Sequence, residues 1–308
     1  MPTTLEASRS TRTPRVAIAG NPNTGKTTLF NRLTGSNLRV GNYPGVTVGC
    51  PGGERRPPAV EGSAAHAVTL LDIPGTYSLS ARSREEQIAV RAVAGLSPLD
   101  PPDLVVIVVD ATQLARNLYL TLQILETGVP AVIALNMADQ LAPSGLEIDV
   151  AALSHAIGCP VVAVSAQHGT GLDELRREIA ETLATPERGR SGWRWRPDNR
   201  ALGADLAAVV DELPAVWRSD RPDRDQALAA WALLSLDEND ELDDVPAGLR
   251  AIVAARRESA AETGRDIEAE LIQGRYAWID EITAGIVRQR ETPRASLTER
   301  IDRVLLHP

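Results

Sequence analysis

The sequence predicts an α/β fold, a mostly parallel sheet flanked by helices, followed by a small all-helical domain. Three observations carry that expectation. Over the first 184 residues, short β-branched runs alternate with amphipathic stretches, the pattern of strands joined by crossover helices. Beyond residue 197 the strand-like alternation stops and helical spacing takes over. The charge divides at the same place: residues 1–196 carry 18 basic and 18 acidic residues, residues 197–308 carry 14 and 23, so the net charge of −9 belongs to the C-terminal third.

In chain order, strands are expected at Arg15–Ala19, Ala67–Asp72, Leu104–Asp110, Ala131–Asn136 and Val161–Ser165. Leu104–Val109 is apolar without alternation, as a strand covered on both faces should be. Helices are expected at Lys26–Leu33, Glu85–Ala94, Ala115–Thr127, Val150–Ile157 and Leu172–Leu183; in the third, Leu118, Leu122 and Leu125 share a face. These elements make a first domain over residues 13–184. Residues 185–197, with Pro186, Gly189, Gly192 and Pro197, read as a linker whose Trp193 and Trp195 need an apolar seat. The helical domain, residues 198–308, is expected to hold helices at Asp205–Leu213, Asp225–Leu236, Gly248–Glu262, Asp266–Arg288 and Leu297–Leu306. The acidic run Asp237, Glu238, Asp240, Glu241, Asp243 and Asp244 reads as a solvated loop in preference to a metal or partner site.

Composition excludes several classes of function. With 41 acidic against 32 basic residues, a sequence-independent hold on nucleic-acid phosphates is disfavoured. Cys50 and Cys159 stand far apart with no second thiol or histidine at metal-ligand spacing, which fits a reducing, cytosolic setting rather than a zinc knuckle or disulfide framework. No apolar run approaches the roughly 18 residues of a membrane span, and Met1–Pro14 is polar, so the chain as given is expected to be soluble. His66, His155, His168 and His307 show no partner pattern for nucleophilic or metal chemistry and read as surface or core histidines.

Among 32 basic residues only Lys26 is a lysine. It falls in Gly20-Asn21-Pro22-Asn23-Thr24-Gly25-Lys26-Thr27, a full match to a phosphate-binding loop between the first strand and first helix. Glycines let backbone amides close on a β-phosphate, the helix N-terminus adds its positive end, and a compact ammonium reaches the β- and γ-phosphates. The planar guanidinium used everywhere else in this chain does not fit that slot. Thr27 is expected to place its hydroxyl on Mg²⁺, with Thr28 beside it. Thr47, within the turn-rich Gly41–Thr47 that also holds Gly45 and Val46, is placed to sense a γ-phosphate. Asp72-Ile73-Pro74-Gly75 supplies a carboxylate for the metal, through water, and a glycine amide for the γ-phosphate.

Asn136-Met137-Ala138-Asp139 ends another strand and is similar to the guanine-reading Asn-x-x-Asp motif of GTPases. A carboxylate at Asp139 accepts from the ring N–H and the exocyclic amine of guanine, a donor pair adenine lacks. Ser165-Ala166 closes the last strand where a backbone amide would meet the guanine oxygen. The class is therefore a Ras-like P-loop GTPase, with GTP or GDP as ligand and Lys26, Thr47, Gly75 and Asn23 as the catalytic set. After Gly75 stands Thr76, where many GTPases have a water-orienting glutamine, so intrinsic turnover is expected to be slow. Asn23 has two readings: holding K⁺ beside the phosphates, as in a potassium-activated subgroup, or bracing the loop by hydrogen bonds.

Gly20–Gly35 (GNPNTGKTTLFNRLTG), Val40–Val48 (VGNYPGVTV), Asp72–Leu79 (DIPGTYSL), Arg116–Glu126 (RNLYLTLQILE) and Asn136–Asp139 (NMAD) together resemble the FeoB family of bacterial ferrous-iron transporters, and Ser296–Pro308 resembles the segment before that family's membrane domain. The resemblance implies an N-terminal cytosolic G domain, a helical domain that slows GDP release, and a polytopic membrane domain carrying Fe²⁺ that this chain lacks. It places the chain on the cytoplasmic side of the bacterial inner membrane. Its implied partners are guanine nucleotide, its own membrane domain, small accessory proteins of iron uptake and a second copy of itself, with no nucleic acid. Gly49-Cys50 departs from the family, which has an acidic residue there; Glu85 and Glu86 match acidic positions of its second switch, though an exposed helix start explains them equally. Two other classes stay open: an RNA-binding ribosome-assembly GTPase, against which the acidic C-terminal part argues, and a module that holds GTP without hydrolysing it, which Thr76 permits.

Overall fold

The structure is a computed structural model and describes residues 13–34, 39–42, 68–80, 90, 92–93, 102–197, 199–237, 240, 242 and 245–289. Six strands form one parallel sheet: β1 (Arg15–Gly20), β2 (Arg39–Asn42), β3 (Thr69–Asp72), β4 (Leu104–Asp110), β5 (Ala131–Asn136) and β7 (Val161–Ala163), in the order β2-β3-β1-β4-β5-β7. Alternate residues of each central strand enter two different apolar clusters. Val16, Ile18, Leu104, Val106, Val108, Val132 and Ala134 pack with α1 (Lys26–Thr34) and α4 (Leu172–Ala184); Ala17, Ala19, Val105, Ile107, Val109, Ile133 and Leu135 pack with α2 (Leu114–Glu126) and α3 (Val150–Ile157). Both faces of β4 are thus covered, which is why its sequence shows no alternation.

Four further helices follow: α5 (Arg200–Asp211), α6 (Pro222–Ser235), α7 (Ala247–Glu262) and α8 (Ile267–Ile286). They start earlier than apolar spacing alone suggests where a cap is present. The Asn199 side chain accepts from Leu202 N at 2.6 Å, and Pro222 takes the first helical position, where its missing N–H costs nothing. The expected helices at Glu85–Ala94 and Leu297–Leu306 lie outside the described residues, apart from helical Val90, Ala92 and Val93 in the first.

Two expectations are corrected. The C-terminal part is not purely helical: β8 (Val287–Gln289) pairs antiparallel with β6 (Leu146–Ile148), and Asp149 N donates to Ile286 O at 3.1 Å. Nor is the acidic run wholly a solvated loop. The Asp240 carboxylate is fully buried and takes a two-pronged grip from Arg250 at 2.6 and 2.8 Å; burial pushes its pKa up, but the Arg250 hydrogen bonds and the amides of Leu242 and Asp237 bring it below the ordinary value. The segment expected to be a linker carries a short 3₁₀ turn at Pro186–Gly189 and seats Trp195 in the core, and the apolar cluster on the α2 face continues unbroken into α5–α8.

The join between the sheet and these helices is polar as well. Arg275 of α8 is 1% exposed and donates from Nε and Nη2 to the two carboxylate oxygens of Glu126, at the end of α2, both at 2.8 Å. Its guanidinium lies 5.0 Å from the Trp195 ring, and Tyr119 stacks on Tyr276 at 5.1 Å.

Candidate nucleotide-binding site

The phosphate loop, Asp72, Asn136 and Ser165 all stand at or just past the C-terminal ends of parallel strands, the edge at which open α/β sheets bind ligands. The loop is shaped by close approaches. A Cβ on Gly20 would fall 2.5 Å from Val108 O; one on Gly25, at φ +80°, would fall 2.3 Å from Asn136 Nδ2. Thr24 Oγ1 donates to Asn21 O at 2.9 Å and closes the turn. Asn23 is held at φ 65°, in the left-handed region that asparagine tolerates better than most residues with a side chain.

Lys26 is mostly buried. Its ammonium donates to Asp72 Oδ1 and to Ile73 O, both at 2.5 Å, so the end of β3 is tied directly to the loop. Gly75 comes against the same loop, its would-be Cβ 3.4 Å from Pro22 N. Thr27 and Thr28 are exposed on the first turn of α1. Thr76 is buried, and its hydroxyl donates to Ser78 O at 2.6 Å, within its own turn.

On the other side, Asn136 acts as a bridge between motifs far apart in sequence. Its Nδ2 donates to Thr24 O at 2.8 Å, and its Oδ1 accepts from Ala166 N at 2.9 Å. Met137 adopts the left-handed conformation at φ 61°, which turns the chain into a 3₁₀ turn, Ala138–Gln140, that holds Asp139. A hydrogen bond from Ser165 holds the Asp139 carboxyl below the ordinary aspartate value against a small opposing effect of burial, with His168 helping.

The structure thus brings together Gly20, Asn21, Pro22, Asn23, Thr24, Gly25, Lys26, Thr27, Thr28, Asp72, Gly75, Asn136, Met137, Asp139, Ser165 and Ala166 along one sheet edge. Gly45, Val46 and Thr47 lie outside the described residues, as do Cys50, Glu85 and Glu86. The bracing role for Asn23 finds no bond: among the described residues its exposed side chain makes none. His168, expected as a surface or core histidine, is an exposed one with partners in the site. Its Nδ1 lies 3.0 Å from Ser165 Oγ and 3.4 Å from Asp139 Oδ2, a contact that three-residue spacing from Ser165 could have suggested once that loop was known to fold back. Also unforeseen is Gln123 of α2, whose Oε1 accepts from Leu79 N at 2.8 Å, four residues past Gly75.

Residues 14–179 match the family described as Ferrous iron transport protein B. The chain belongs to the FeoB family. Curated FeoB relatives include the Fe(2+) transporter FeoB of Salmonella typhimurium (strain LT2), 48% identical over 171 residues, and that of Escherichia coli (strain K12), 46% identical over 168. Each alignment covers 53% of this chain and 20% of the relative, so the chain spans about a fifth of the length of the curated proteins it matches. Among solved structures, a GDP-bound mutant of the S. thermophilus FeoB G-domain is 35% identical, covers 89% of this chain and all of its own, and superposes with a TM-score of 0.67. The cytosolic domain of L. pneumophila FeoB is 30% identical, covers 89% of this chain and 99% of its own, and gives 0.69. These neighbours extend over the helical part as well as the sheet, and they bear out the expected fold of a parallel-sheet G domain followed by further helices. Among the described residues no helix is long and apolar enough to cross a membrane.

Proposed function

We propose that this chain binds GTP and GDP with Mg²⁺ at the C-terminal edge of its sheet, hydrolyses GTP slowly, and serves as the cytoplasmic switch of a ferrous-iron transporter. The observation that supports this most is Asn136 bridging the phosphate loop and Ala166, because it sets the phosphate-binding and base-reading motifs at a fixed separation. Solved relatives carry GDP or the GTP analogue GMPPNP.

In this reading the phosphates lie against the loop amides. Asn21, whose amide nitrogen is buried without a partner, sits in the loop that they would face. Lys26 leaves Asp72 to reach the β- and γ-phosphates, and Asp72 is then freed toward the metal. The donor set fits Mg²⁺: a carboxylate at Asp72 and an exposed hydroxyl at Thr27, hard oxygens few enough to leave room for phosphates and water. Thr47 is proposed to complete it, with Gly45 and Val46 beside the nucleotide. Mg²⁺, when bound, neutralises charge developing on the phosphate oxygens.

Asp139, ionised at neutral pH, accepts from guanine, and the Ala166 amide meets the guanine oxygen. Gly75 gives its amide to the γ-phosphate. Thr76 is committed to Ser78, so it does not orient water, which favours slow turnover. Asn23, exposed and without a side-chain bond among the described residues, is the residue that would accompany K⁺ at the phosphates. The switch reaches the helical part through α2, which touches Leu79 with Gln123 and Arg275 with Glu126.

Phosphate release from GTP tests the reading. Slow release that needs Mg²⁺, rises in potassium over sodium and vanishes in Lys26→Ala is expected. Equal rates in the two salts remove K⁺ from Asn23, and no release at all makes the chain a GTP-holding module.

A further inference from the structure

At the opposite, N-terminal edge of the sheet lies a cavity of about 570 Å³, between the segments leading into β1, β4 and β5 and the turn leading into α6. Its size is that of a small-ligand site. Four guanidinium groups line it, those of Arg190, Arg218, Arg221 and Arg224, against the carboxylates of Asp103 and Glu187, an excess of two positive charges in a chain of net charge −9.

All four guanidinium groups are held in place: Arg224 pairs with Asp225 at 3.7 Å, while those of Arg218 and Arg221 are held without being neutralised. Arg221 donates to Gly128 O at 2.7 Å and lies flat on that glycine, where a Cβ would fall 1.8 Å from its Nη2. Arg218 donates to the carbonyls of Leu213 and Asp211. Among the described residues neither has a carboxylate within 4 Å. Arg190 meets Glu187 only at 3.4 Å, and its Nε is buried with no partner. Burial first, then the charges of Arg190 and Arg194, push the Arg221 pKa down, and the nearby carboxylates of Asp223 and Asp220 only partly offset them. Carbonyl partners orient a guanidinium without cancelling its charge, and forks held in this way match the oxygens of a phosphate group.

We propose that this cavity is a second anion site, for a phosphate-bearing ligand, separate from the nucleotide site and set across the seam between the sheet and the helical part. Its ligand would join Arg190 and the α6 turn to the Gly128 loop, two residues past Glu126. The phosphate belongs either to a free anion or to a lipid headgroup, and the experiment separates the two.

Pyrophosphate is titrated calorimetrically into the GDP-saturated full chain, so that the phosphate loop is already filled. One-site binding, weakened at least tenfold in Arg190→Gln and again in Arg221→Gln, with GDP affinity and melting temperature of Arg190→Gln unchanged, supports a free anion. Arg190 is the informative variant because its Nε has no internal bond to lose. Co-sedimentation with phosphatidylglycerol vesicles but not phosphatidylcholine, lost in Arg190→Gln, without pyrophosphate heat, assigns the phosphate to a headgroup. No binding in either arm, or binding equal in wild type and both variants, overturns the proposal.

Discussion

Replacing Arg275 with methionine leaves the Glu126 carboxylate in a place built for a guanidinium. Glu126 is 9% exposed and both its oxygens are engaged by Arg275 at 2.8 Å; the methionine offers no donor in return. Removing one partner of a buried ion pair costs about 3–5 kcal/mol, because the other charge stays desolvated, whereas replacing both with apolar groups of similar volume is often neutral. Arg275→Met and Glu126→Leu should therefore each destabilise the chain by about 3 kcal/mol or more, and the double variant by far less than their sum. Urea unfolding read by tryptophan emission measures this, with Trp195 5.0 Å from the guanidinium as a local reporter. Because Gln123 on the same helix holds Leu79, GDP release should also be faster in each single variant. Additive losses, or single losses below about 1 kcal/mol, the range of a solvated pair, would show that Glu126 and Arg275 do not act as a desolvated pair.

Three further outcomes are expected. Gly25→Ala forces a methyl to 2.3 Å from Asn136 Nδ2 at φ +80°, a conformation costing L-residues about 1–2 kcal/mol, so GDP affinity measured by fluorescence should fall at least about tenfold while the fold persists. Asp139 has a lowered pKa, so its charge persists through the ordinary aspartate range and is lost only as pH falls through the depressed value; GDP affinity should hold until below about pH 4, and at neutral pH Asp139→Asn should reduce guanine preference by ~10⁴. Burial raises the Cys159 thiol to about 12, so in a Cys50→Ser background a thiol reagent at pH 8 should label the chain only after denaturation.

Much of the G domain was legible because its strands are short, apolar and bounded by motifs. Leu104–Asp110, Ala131–Asn136 and Val150–Ile157 match their expected bounds, since burial on two faces or an aspartate cap marks each end. The phosphate loop was legible from a single lysine. The three-residue strands β6 and β8 were not, because so short a pairing across some 140 residues leaves no periodicity to read. Arg275 carried no signal either: in sequence it is one arginine among many, and only packing shows it to be buried against Glu126. Asp240 hid in an acidic run for the same reason. His168 was passed over because its neighbour Asp139 is 29 residues away in the chain and close only once the loop after β7 turns back.

Calorimetric titration of the purified chain with GDP and with GMPPNP, in Mg²⁺ and with Lys26→Ala alongside, decides whether this sheet edge holds a guanine nucleotide. One guanine nucleotide should bind per chain, adenine nucleotides should give no heat, and Lys26→Ala should lose most of the affinity. Absence of heat with both guanine nucleotides, or equal heat from ATP, would contradict it.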